Sequence, residues 1–456
     1  MPSVSRRRFL HRSAALGALA VFGDRVARGE ATGSRSVNGF GPLRPATDET
    51  TGLDLVKLPE GFRYRTFGWT GDAMPGDAVH PGTHDGMSVV SQDGDIVTMI
   101  RNHERDGVGS PLGPKDGSYD PVARGGCIGL RFDVAAGEWV DSHVALSGTV
   151  RNCAGGPTPW GTWLSCEETV LGPGSTYKGK SYAYERDHGY VFEVPADKLS
   201  EAKPIREMGR FWHEAVAIDP KTGNAYLTED RSTAGLYRYT PSEAGQLAGG
   251  GTLEMLAVEG RADLRRGLKA AQTFDVKWVP IDEPDRAHSP GSNDTLGVFM
   301  QGQQQGGAIF GRLEGCGYRD DRIFVTATIG GNAQAGQVWE YDPREERLTL
   351  LFESPGSDTL DMPDNLATSP RGGLILCEDG YRSPQRVHAL SAEGQLFPLI
   401  ENQIVLRGER NNYRGDFRSE EWAGATFSPD GRWLFVNNQT PGITFAVTGP
   451  WQDGLV

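Results

Sequence analysis

The sequence has few zinc-type ligands, little positive charge and almost no helical periodicity. Its 456 residues include only nine histidines and five cysteines, with no CxxC pair and no HExxH or DxDxDG motif. These absences exclude a zinc ribbon and argue against a zincin or an EF-hand. With 46 basic against 60 acidic residues, the formal net charge is −14. The chain therefore lacks the basic footprint of a nonspecific nucleic-acid binder, while its acidity suits calcium binding or simply solubility.

Long hydrophobic runs are also missing, and the one apolar run near the start is short. The segment SRRRFLHRSAALGALAVFG places twin arginines (Arg6, Arg7) before a mild apolar run over residues 14–22. This layout predicts a twin-arginine signal over residues 1–31, which the twin-arginine translocon reads, although a chance arginine cluster is the alternative. The run is too short to span a bilayer. We therefore expect a periplasmic or secreted protein without a stable membrane span.

A turn followed by an apolar strand with a polar or acidic end recurs six times. The copies are DGDIVTMIRNHE (93–104), GTWLSCEE (161–168), TGNAYLTEDR (222–231), DDRIFVTATIGG (320–331), GGLILCEDG (372–380) and DGRWLFVNNQ (430–439). A second short strand follows each copy, namely RFDV (131–134), YVFEV (190–194), LYRY (236–239), VWEYDP (338–343), VHAL (387–390) and ITFAV (443–447). Strand pairs joined by DG, TG and GG turns indicate antiparallel sheet.

These repeats predict an all-β fold, a six-bladed β-propeller with loop and short-helix insertions. No proline-rich or charge-rich linker divides the chain, which favours a single closed domain over residues 40–456. We also expect a monomer. Residues 241–270 are predicted as a helical or loop insertion between the third and fourth blades. The alternative is a β-sandwich or two smaller β domains.

In a propeller, equivalent strand ends from successive blades meet around the central channel. Four of the six strand ends carry carboxylates, and GTWLSCEE adds Cys166 beside Glu167 and Glu168. So many acids around one axis raise each other's pKa unless cations neutralise them. We therefore favour a buried cation as the feature that holds the thiol and the two carboxylates of this stretch together. A Cys153–Cys166 disulfide and plain solvent exposure are the alternatives.

The types of ligand limit the identity of the metal. Carboxylate and amide oxygens suit Ca²⁺, whereas a single thiolate among oxygens calls for a softer or more Lewis-acidic ion such as iron. The composition therefore favours a mixed cluster over a lone zinc ion.

The ordered motifs resemble those of the PhoX-type alkaline phosphatases, over roughly residues 50–450. The motifs are RNHE (101–104), PWGTWLSCEE (159–168), HEAVAIDP (213–220), YLTEDR (226–231), GRLEG (311–315), PDNL (363–366), LCEDG (376–380) and EWAGATFSPDGRWLFVNNQ (421–439). The resemblance implies an exported enzyme that hydrolyses phosphate monoesters. It also implies a channel holding iron (Fe³⁺) and Ca²⁺, with a cysteine and glutamates as ligands and an arginine and an asparagine on the phosphate.

Carried onto this sequence, the resemblance assigns a role to individual residues. Arg312 and Asn102 match the two phosphate contacts. The implied metal ligands are Cys166, Glu167, Glu168, Glu214 and Glu314, followed by Glu104, Glu229, Asp364, Glu378 and Asp379.

One departure and several structural alternatives bear on these roles. Leu313 stands where the family pattern leads us to expect proline, which affects the loop that aims Arg312 and Glu314. Cys166 also suits a β core, Arg312 a surface ion pair, and Glu378 with Asp379 a turn. His103 and His213 suit hydrogen-bonded structural positions at least as well as metal ligation.

The resemblance implies hydrolysis by in-line attack of a metal-bound oxide or hydroxide, with Arg312 and Asn102 stabilising the phosphate oxygens. A calcium-dependent propeller lactonase or phosphotriesterase is one alternative, and it would need neither iron nor Cys166. A non-catalytic periplasmic binding propeller is the other, with structural calcium at most.

Overall fold

The computed structural model describes residues 39–76, 78–177 and 179–456. The predicted export signal over residues 1–31 lies outside these ranges. In the described ranges no helix is both long and apolar enough to cross a membrane.

Antiparallel strands make up nearly all of the regular structure in the described ranges. In chain order they are β1 (Arg44–Ala46), β2 (Val56–Leu58), β3 (Arg63–Phe67), β4 (His84–Asp93), β5 (Ile96–His103), β6 (Gly125–Asp133), β7 (Glu138–Thr149), β8 (Asn152–Pro157), β9 (Thr162–Glu167), β10 (Thr176–Tyr177), β11 (Lys180–Ser181), β12 (Val191–Pro195), β13 (His213–Ile218), β14 (Ala225–Glu229), β15 (Leu236–Pro241), β16 (Gly251–Val258), β17 (Thr273–Ile281), β18 (Leu313–Arg319), β19 (Arg322–Ala327), β20 (Gln337–Asp342), β21 (Arg347–Glu353), β22 (Pro363–Thr368), β23 (Leu374–Glu378), β24 (Arg386–Leu390), β25 (Leu396–Asn402), β26 (Val405–Arg407), β27 (Arg414–Asp416), β28 (Trp422–Phe427), β29 (Trp433–Asn438) and β30 (Ile443–Thr448). One α-helix, α1 (Gly297–Gln304), and short 3-10 turns at Lys115–Gly117, Arg206–Met208 and Leu247–Gly249 complete the described elements.

The strands form five larger sheets and two small hairpins. Their orders are β4-β5-β6-β7, β8-β9-β12, β13-β14-β15-β16-β17-β21-β20-β19-β18, β22-β23-β24-β25-β2-β1 and β28-β29-β30-β3, with β10-β11 and β26-β27 as hairpins. In the nine-stranded sheet, β17 pairs with both β16 and β21 and so joins two groups of four strands.

The first strand of each group packs against the first strand of the next group, and this gives a propeller-like arrangement. We call β4, β8, β13, β18, β22 and β28 the inner strands. They contact one another in this order, and β28 contacts β4. N-terminal strand β3 pairs with β30 and so ties the start of the described chain to its end.

Glycines allow the inner strands to approach each other closely. A Cβ atom on Gly86 of β4 would lie 2.5 Å from the Cα atom of Ala154 in β8. A Cβ atom on Gly315 of β18 would lie 2.6 Å from the backbone nitrogen of Leu366 in β22. Because both contacts are with backbone atoms, no side chain can move aside, and the spacing of the inner strands depends on glycine at these positions.

The predicted strands correspond to the second and third strands of each group. The six repeat copies contain β5, β9, β14, β19, β23 and β29, and the six following segments overlap β6, β12, β15, β20, β24 and β30. The predicted insertion at 241–270 instead contains strand β16, whose alternating Leu253, Met255 and Ala257 are buried. The helical interpretation was wrong there because β16 pairs with β15 and β17 on both sides.

All five cysteines are free. The structure therefore contains no disulfide between Cys153 and Cys166.

Candidate metal centre

Five inner strands carry an acid or a thiol at an equivalent position, close to the start of the strand. There the pairing with the second strand shifts register, for example between His213 and Val216 and between Leu313 and Cys316. A β-bulge of this kind bends the strand and re-aims a side chain. The residues just after the start of the shift are Asp85, Cys153, Glu214, Glu314 and Asp364.

Three of these residues converge tightly. Glu214, Glu314 and Asp364 each offer a carboxylate oxygen, and the three oxygens lie within 4.8 Å of one another. The Cys153 thiol lies beside them and is 3.6 Å from Asp85 Oδ2. Carboxylates and a thiol from five neighbouring strands therefore meet at one end of the central channel.

More carboxylates reach the same place from the ends of second strands and from the residue before β28. Together we call these residues the acidic cluster: Asp85, Glu104, Glu168, Glu214, Asp230, Glu314, Asp364, Asp379 and Glu421. Gln439 connects part of it, because its Nε2 donates to Glu421 at 2.8 Å and to Glu104 at 3.0 Å.

The acidic cluster is strongly unfavourable without added positive charge. Burial, followed by repulsion from Glu314 and Asp364, raises the pKa of Glu214 well above its ordinary value. Burial and then Asp230 do the same for Glu314. Both carboxylate oxygens of Glu214 are buried and have no hydrogen-bond partner among the described residues. Orphaned oxygens of this kind fit a bound cation, since buried charges are normally paired or coordinate a metal.

Two arginines supply counter-charge at the rim of the cluster. Arg312 Nε donates to Asp230 Oδ1 at 2.8 Å, and its NH2 group lies 2.8 Å from Glu314 Oε1 and 3.7 Å from Asp379. Its side chain is 28% exposed, so the guanidinium is accessible from the channel mouth. Arg312 has a φ of 51°, and Leu313 then begins β18.

The second arginine is Arg151. Its NH2 group lies 2.6 Å from Glu168 and 3.1 Å from Glu104, and its guanidinium stacks over the Trp212 ring at 5.4 Å. Arg151 therefore links acids that follow two different sheets.

Six of the ten predicted ligands lie in the acidic cluster with Arg312 beside them, whereas the other predicted residues do not. The six are Glu104, Glu168, Glu214, Glu314, Asp364 and Asp379. In each acid pair at a strand end, the second acid reaches the cluster and the first points elsewhere.

Glu167 illustrates the first acid of a pair. Its Oε1 is 2.6 Å from His188 Nδ1, and its Oε2 accepts from the backbone N–H of Gly189 at 2.7 Å and of Tyr190 at 3.2 Å. These bonds satisfy the carboxylate without a metal and hold the loop that precedes β12.

Glu378 and Glu229 have comparable surroundings. Glu378 accepts from the backbone N–H of Asp361 at 2.9 Å and of Arg386 at 2.8 Å. Glu229 accepts from the Tyr237 hydroxyl at 2.8 Å, while burial raises its pKa to about 7.

Cys166 and Asn102 also lie away from the carboxylates. Cys166 is fully buried in a hydrophobic cluster with Leu164 and Phe211. Asn102 is fully buried, and its Nδ2 donates to the carbonyls of Cys153 and Ala154. These positions differ from those implied for a thiolate ligand and a phosphate contact.

The sequence reasoning missed Asp85, Cys153, Asp230 and Glu421. A signal for the first two is present: the inner strands begin HDG, NCA, HEA, LEG and PDN, each with an acid or cysteine before a small or short side chain. The second strands give a more regular pattern in the sequence, and this pattern obscures the second repeat.

Comparison with known proteins identifies the family. The family model described as alkaline phosphatase PhoX matches residues 38–142 and 133–442. No curated protein matches the chain.

Three solved structures that match this chain cover most of it at low sequence identity. A gluconolactonase, XC5397 from Xanthomonas campestris, has a TM-score of 0.41 and 13% identity, covering 90% of this chain and 98% of its own. A Dyadobacter fermentans protein of unknown function has a TM-score of 0.48 and 10% identity, with coverages of 86% and 100%. The WD40 β-propeller domain of Doa1 has a TM-score of 0.39 and 10% identity, with coverages of 87% and 100%. The family match spans most of the chain, and the protein therefore belongs to the alkaline phosphatase PhoX family.

Proposed function

We propose that this protein is a metal-dependent phosphomonoesterase that releases inorganic phosphate from small organic phosphate esters. The observation that carries the proposal is the meeting of Glu214, Glu314 and Asp364 beside Arg312. A phosphate ester is an anion that needs positive charge on its oxygens, and this site combines a cation-binding set of acids with a planar guanidinium. Family membership supports a phosphatase, and the monoester preference is our proposal.

The residues that would hold the metals are those re-aimed by the bulges. We propose Asp85, Glu214, Glu314 and Asp364 as oxygen ligands and Cys153 as the thiolate ligand, in place of Cys166. Oxygen ligands favour Ca²⁺, and a thiolate among oxygens favours iron, so we propose that both ions are bound. When bound, these ions neutralise phosphate oxygens and activate an oxygen nucleophile.

The chain's own groups would bind and orient the ester. Arg312 can hold two phosphate oxygens with its planar fork, and Asp230 orients that fork through the 2.8 Å bond to Nε. Charge that develops on the equatorial oxygens during in-line displacement would be stabilised by the same guanidinium. We propose that Asn102 acts indirectly, by holding the main chain of Cys153 through its bond to the Cys153 carbonyl.

We also propose a single six-bladed propeller over residues 40–456. The sheets support this count if the nine-stranded sheet is divided between β17 and β21, because six inner strands then begin six groups. For the whole protein we propose a monomer that the twin-arginine translocon exports to the periplasm or beyond. Replacing Arg6 and Arg7 by lysine should block export, and unchanged export of that variant would contradict this route.

Metal analysis combined with an activity assay tests the proposed function. Protein exported in folded form and purified without chelators is analysed for its elements and assayed with phenyl phosphate. Iron together with calcium and release of phosphate is the expected result. Calcium without iron, combined with hydrolysis of lactones or phosphotriesters, would favour the alternative hydrolases. No turnover of any ester by the metal-loaded protein would favour a binding propeller.

A further inference from the structure

Two cavities adjoin the acidic cluster and differ in how their basic groups are paired. The first, which we call the Arg105 cavity, has a volume of 540 Å³ and is lined by Thr83, Glu104, Arg105, Asp106, Arg151, Lys180 and Tyr182. Glu104 and Arg151 belong to the metal centre described above, so this cavity opens directly beside it. The second, the Arg231 cavity, has a volume of 700 Å³, and its lining includes Trp212, Arg210 and Arg231.

Two basic side chains that line the Arg105 cavity form no ion pair with any described residue. Within the described ranges, the half-buried Arg105 guanidinium makes no hydrogen bond or ion pair. Burial, followed by repulsion from Arg124, lowers the pKa of Arg105. Lys180 Nζ lies 4.8 Å from the centre of the Tyr182 ring and has no carboxylate partner in the described part of the chain.

The acids in the wall of this cavity already have partners. Glu104 Oε1 accepts from Arg151 at 3.1 Å, and Glu104 Oε2 accepts from Gln439 at 3.0 Å. Asp106 Oδ2 accepts from the Tyr182 hydroxyl at 3.1 Å. Arg105 and Lys180 therefore remain available to an anion that enters the cavity.

The Arg231 cavity is different, because its arginines are occupied. Arg210 donates to Asp187 at 3.0 Å and to the His188 carbonyl at 2.9 Å. Arg231 donates to the Thr295 hydroxyl and to the Asp294 carbonyl. An anion would have to compete with these internal bonds, so the contrast favours the Arg105 cavity.

We propose that the Arg105 cavity is a second anion subsite, which binds a carboxylate or second phosphate on a substrate whose ester phosphate lies at Arg312. Arg105 and Lys180 supply charge-assisted hydrogen bonds to this group. The preferred substrates are then phosphate monoesters that carry a second negative charge. This inference rests on the proposed phosphomonoesterase activity and adds a substrate class to it.

A matched pair of esters tests the subsite. Glycerol 3-phosphate and 3-phosphoglycerate are similar in size, and only the second has a carboxylate. With the metal-loaded protein we expect a higher kcat/KM for 3-phosphoglycerate. The Arg105→Gln variant should lower the ratio of the two kcat/KM values by about tenfold, the effect of losing one charged hydrogen bond. Arg105→Lys should restore part of the ratio, and Lys277→Gln on outer strand β17 should leave it unchanged.

The outcomes separate the two proposals. If the metal-loaded protein hydrolyses neither ester, the proposed function is wrong. If it hydrolyses both esters and Arg105→Gln leaves the ratio of their kcat/KM values unchanged, only the proposed subsite is wrong. Released phosphate has the same chemistry as a second anionic group, so inorganic phosphate is also measured as an inhibitor. If Arg105→Gln raises the inhibition constant of phosphate but leaves the substrate ratio alone, the cavity holds product, and the substrate assignment is wrong.

Discussion

Asn102 holds the main chain of Cys153 in place: its Nδ2 donates to the Cys153 carbonyl at 3.1 Å and to the next carbonyl at 2.6 Å. Its Oδ1 accepts from Trp163 Nε1 and from the Ser165 hydroxyl, each at 2.9 Å. A single buried amide on β5 therefore fixes the strand that presents the thiol to the acidic cluster.

Replacing Asn102 by alanine should destabilise the fold. The change leaves three buried donors (Trp163 Nε1, the Ser165 hydroxyl and the Cys127 thiol) and the carbonyls of Cys153 and Ala154 without this partner. We therefore expect a loss of about 2–4 kcal/mol in the free energy of unfolding. Urea denaturation with calcium present measures it, and the exposed Asn293→Ala variant serves as control. If Asn102→Ala unfolds like wild type and loses only activity, Asn102 contacts phosphate and not the Cys153 main chain.

The two cysteines should respond in opposite ways. Cys153→Ser removes the thiolate beside Asp85, and we expect iron content and phosphatase activity to fall at least about a hundredfold. Cys166→Ala deletes one buried sulfur from an apolar cluster, so activity should stay within about threefold and stability should fall by about 1 kcal/mol. Elemental analysis and initial rates measure both. Loss of iron in Cys166→Ala alone would return the ligand role to Cys166.

The strand containing Cys166 shows how far sequence reasoning reaches. The alternation in GTWLSCEE correctly indicates a strand, but it also places Leu164 and Cys166 on one side, against an apolar core. Glu167 turns to His188 and to backbone N–H groups, and only Glu168 reaches the channel. Alternation therefore separates Glu167 from Cys166, and Glu168 leaves the face of Cys166 because β9 ends at Glu167.

The inner strands were harder to recognise than the second strands. Second strands such as LILC follow DG, TG or GG turns and have regular apolar side chains, which propensity and turn chemistry detect. Inner strands such as HDGMSVV begin with a polar side chain and a glycine and contain bulges, for instance between His84 and Met87. The bulge breaks the period of two at the point where Asp85 is aimed into the channel, so the functional signal coincides with the weakest strand signal.

Arg312 should contribute strongly to the efficiency of phosphate ester hydrolysis. Arg312→Gln removes the guanidinium that lies between Asp230 and Glu314, and we expect kcat/KM for phenyl phosphate to fall by about 10²–10³-fold. Arg312→Lys retains the charge without the planar fork and should recover only part of the activity. The variant Arg418→Gln, at a half-exposed position, is the control and should remain within twofold. Full activity in Arg312→Gln would assign this residue to an ion pair alone.

Metal removal should weaken the fold as well as the activity. Without cations, Glu214, Glu314 and Asp364 must remain close together in a buried site, which opposes folding. At a free calcium concentration about 100 times the dissociation constant, binding adds about 2.7 kcal/mol to the free energy of unfolding. Thermal unfolding after chelation, followed by calcium addition, measures this effect. If neither chelation nor calcium addition changes the melting temperature, calcium does not bind at this site.

His188 should make stability decline at alkaline pH. Its ring nitrogens lie 2.6 Å from Glu167 and 3.3 Å from Asp120. Burial acts to lower the pKa of His188, but these two carboxylates outweigh burial and raise the pKa to about 9. An unfolded histidine has a pKa of about 6.5, so the stabilisation is fully present below that pH and is lost as the pH rises through about 9.

The His188→Gln variant isolates this contribution. We expect the wild-type free energy of unfolding to fall by at most about 3 kcal/mol between pH 6.5 and 9.5, and the variant to be less stable at pH 6.5 with a flatter profile. His143→Gln on outer strand β7 should keep the wild-type slope, because burial lowers the pKa of His143 and keeps it neutral in this range. Urea unfolding at several pH values with calcium in excess gives the slopes. If the free energy of unfolding of His188→Gln depends on pH as steeply as that of wild type, His188 is neutral in the folded protein. Glu167 would then lie beside Glu168 without a positively charged His188 to stabilise it.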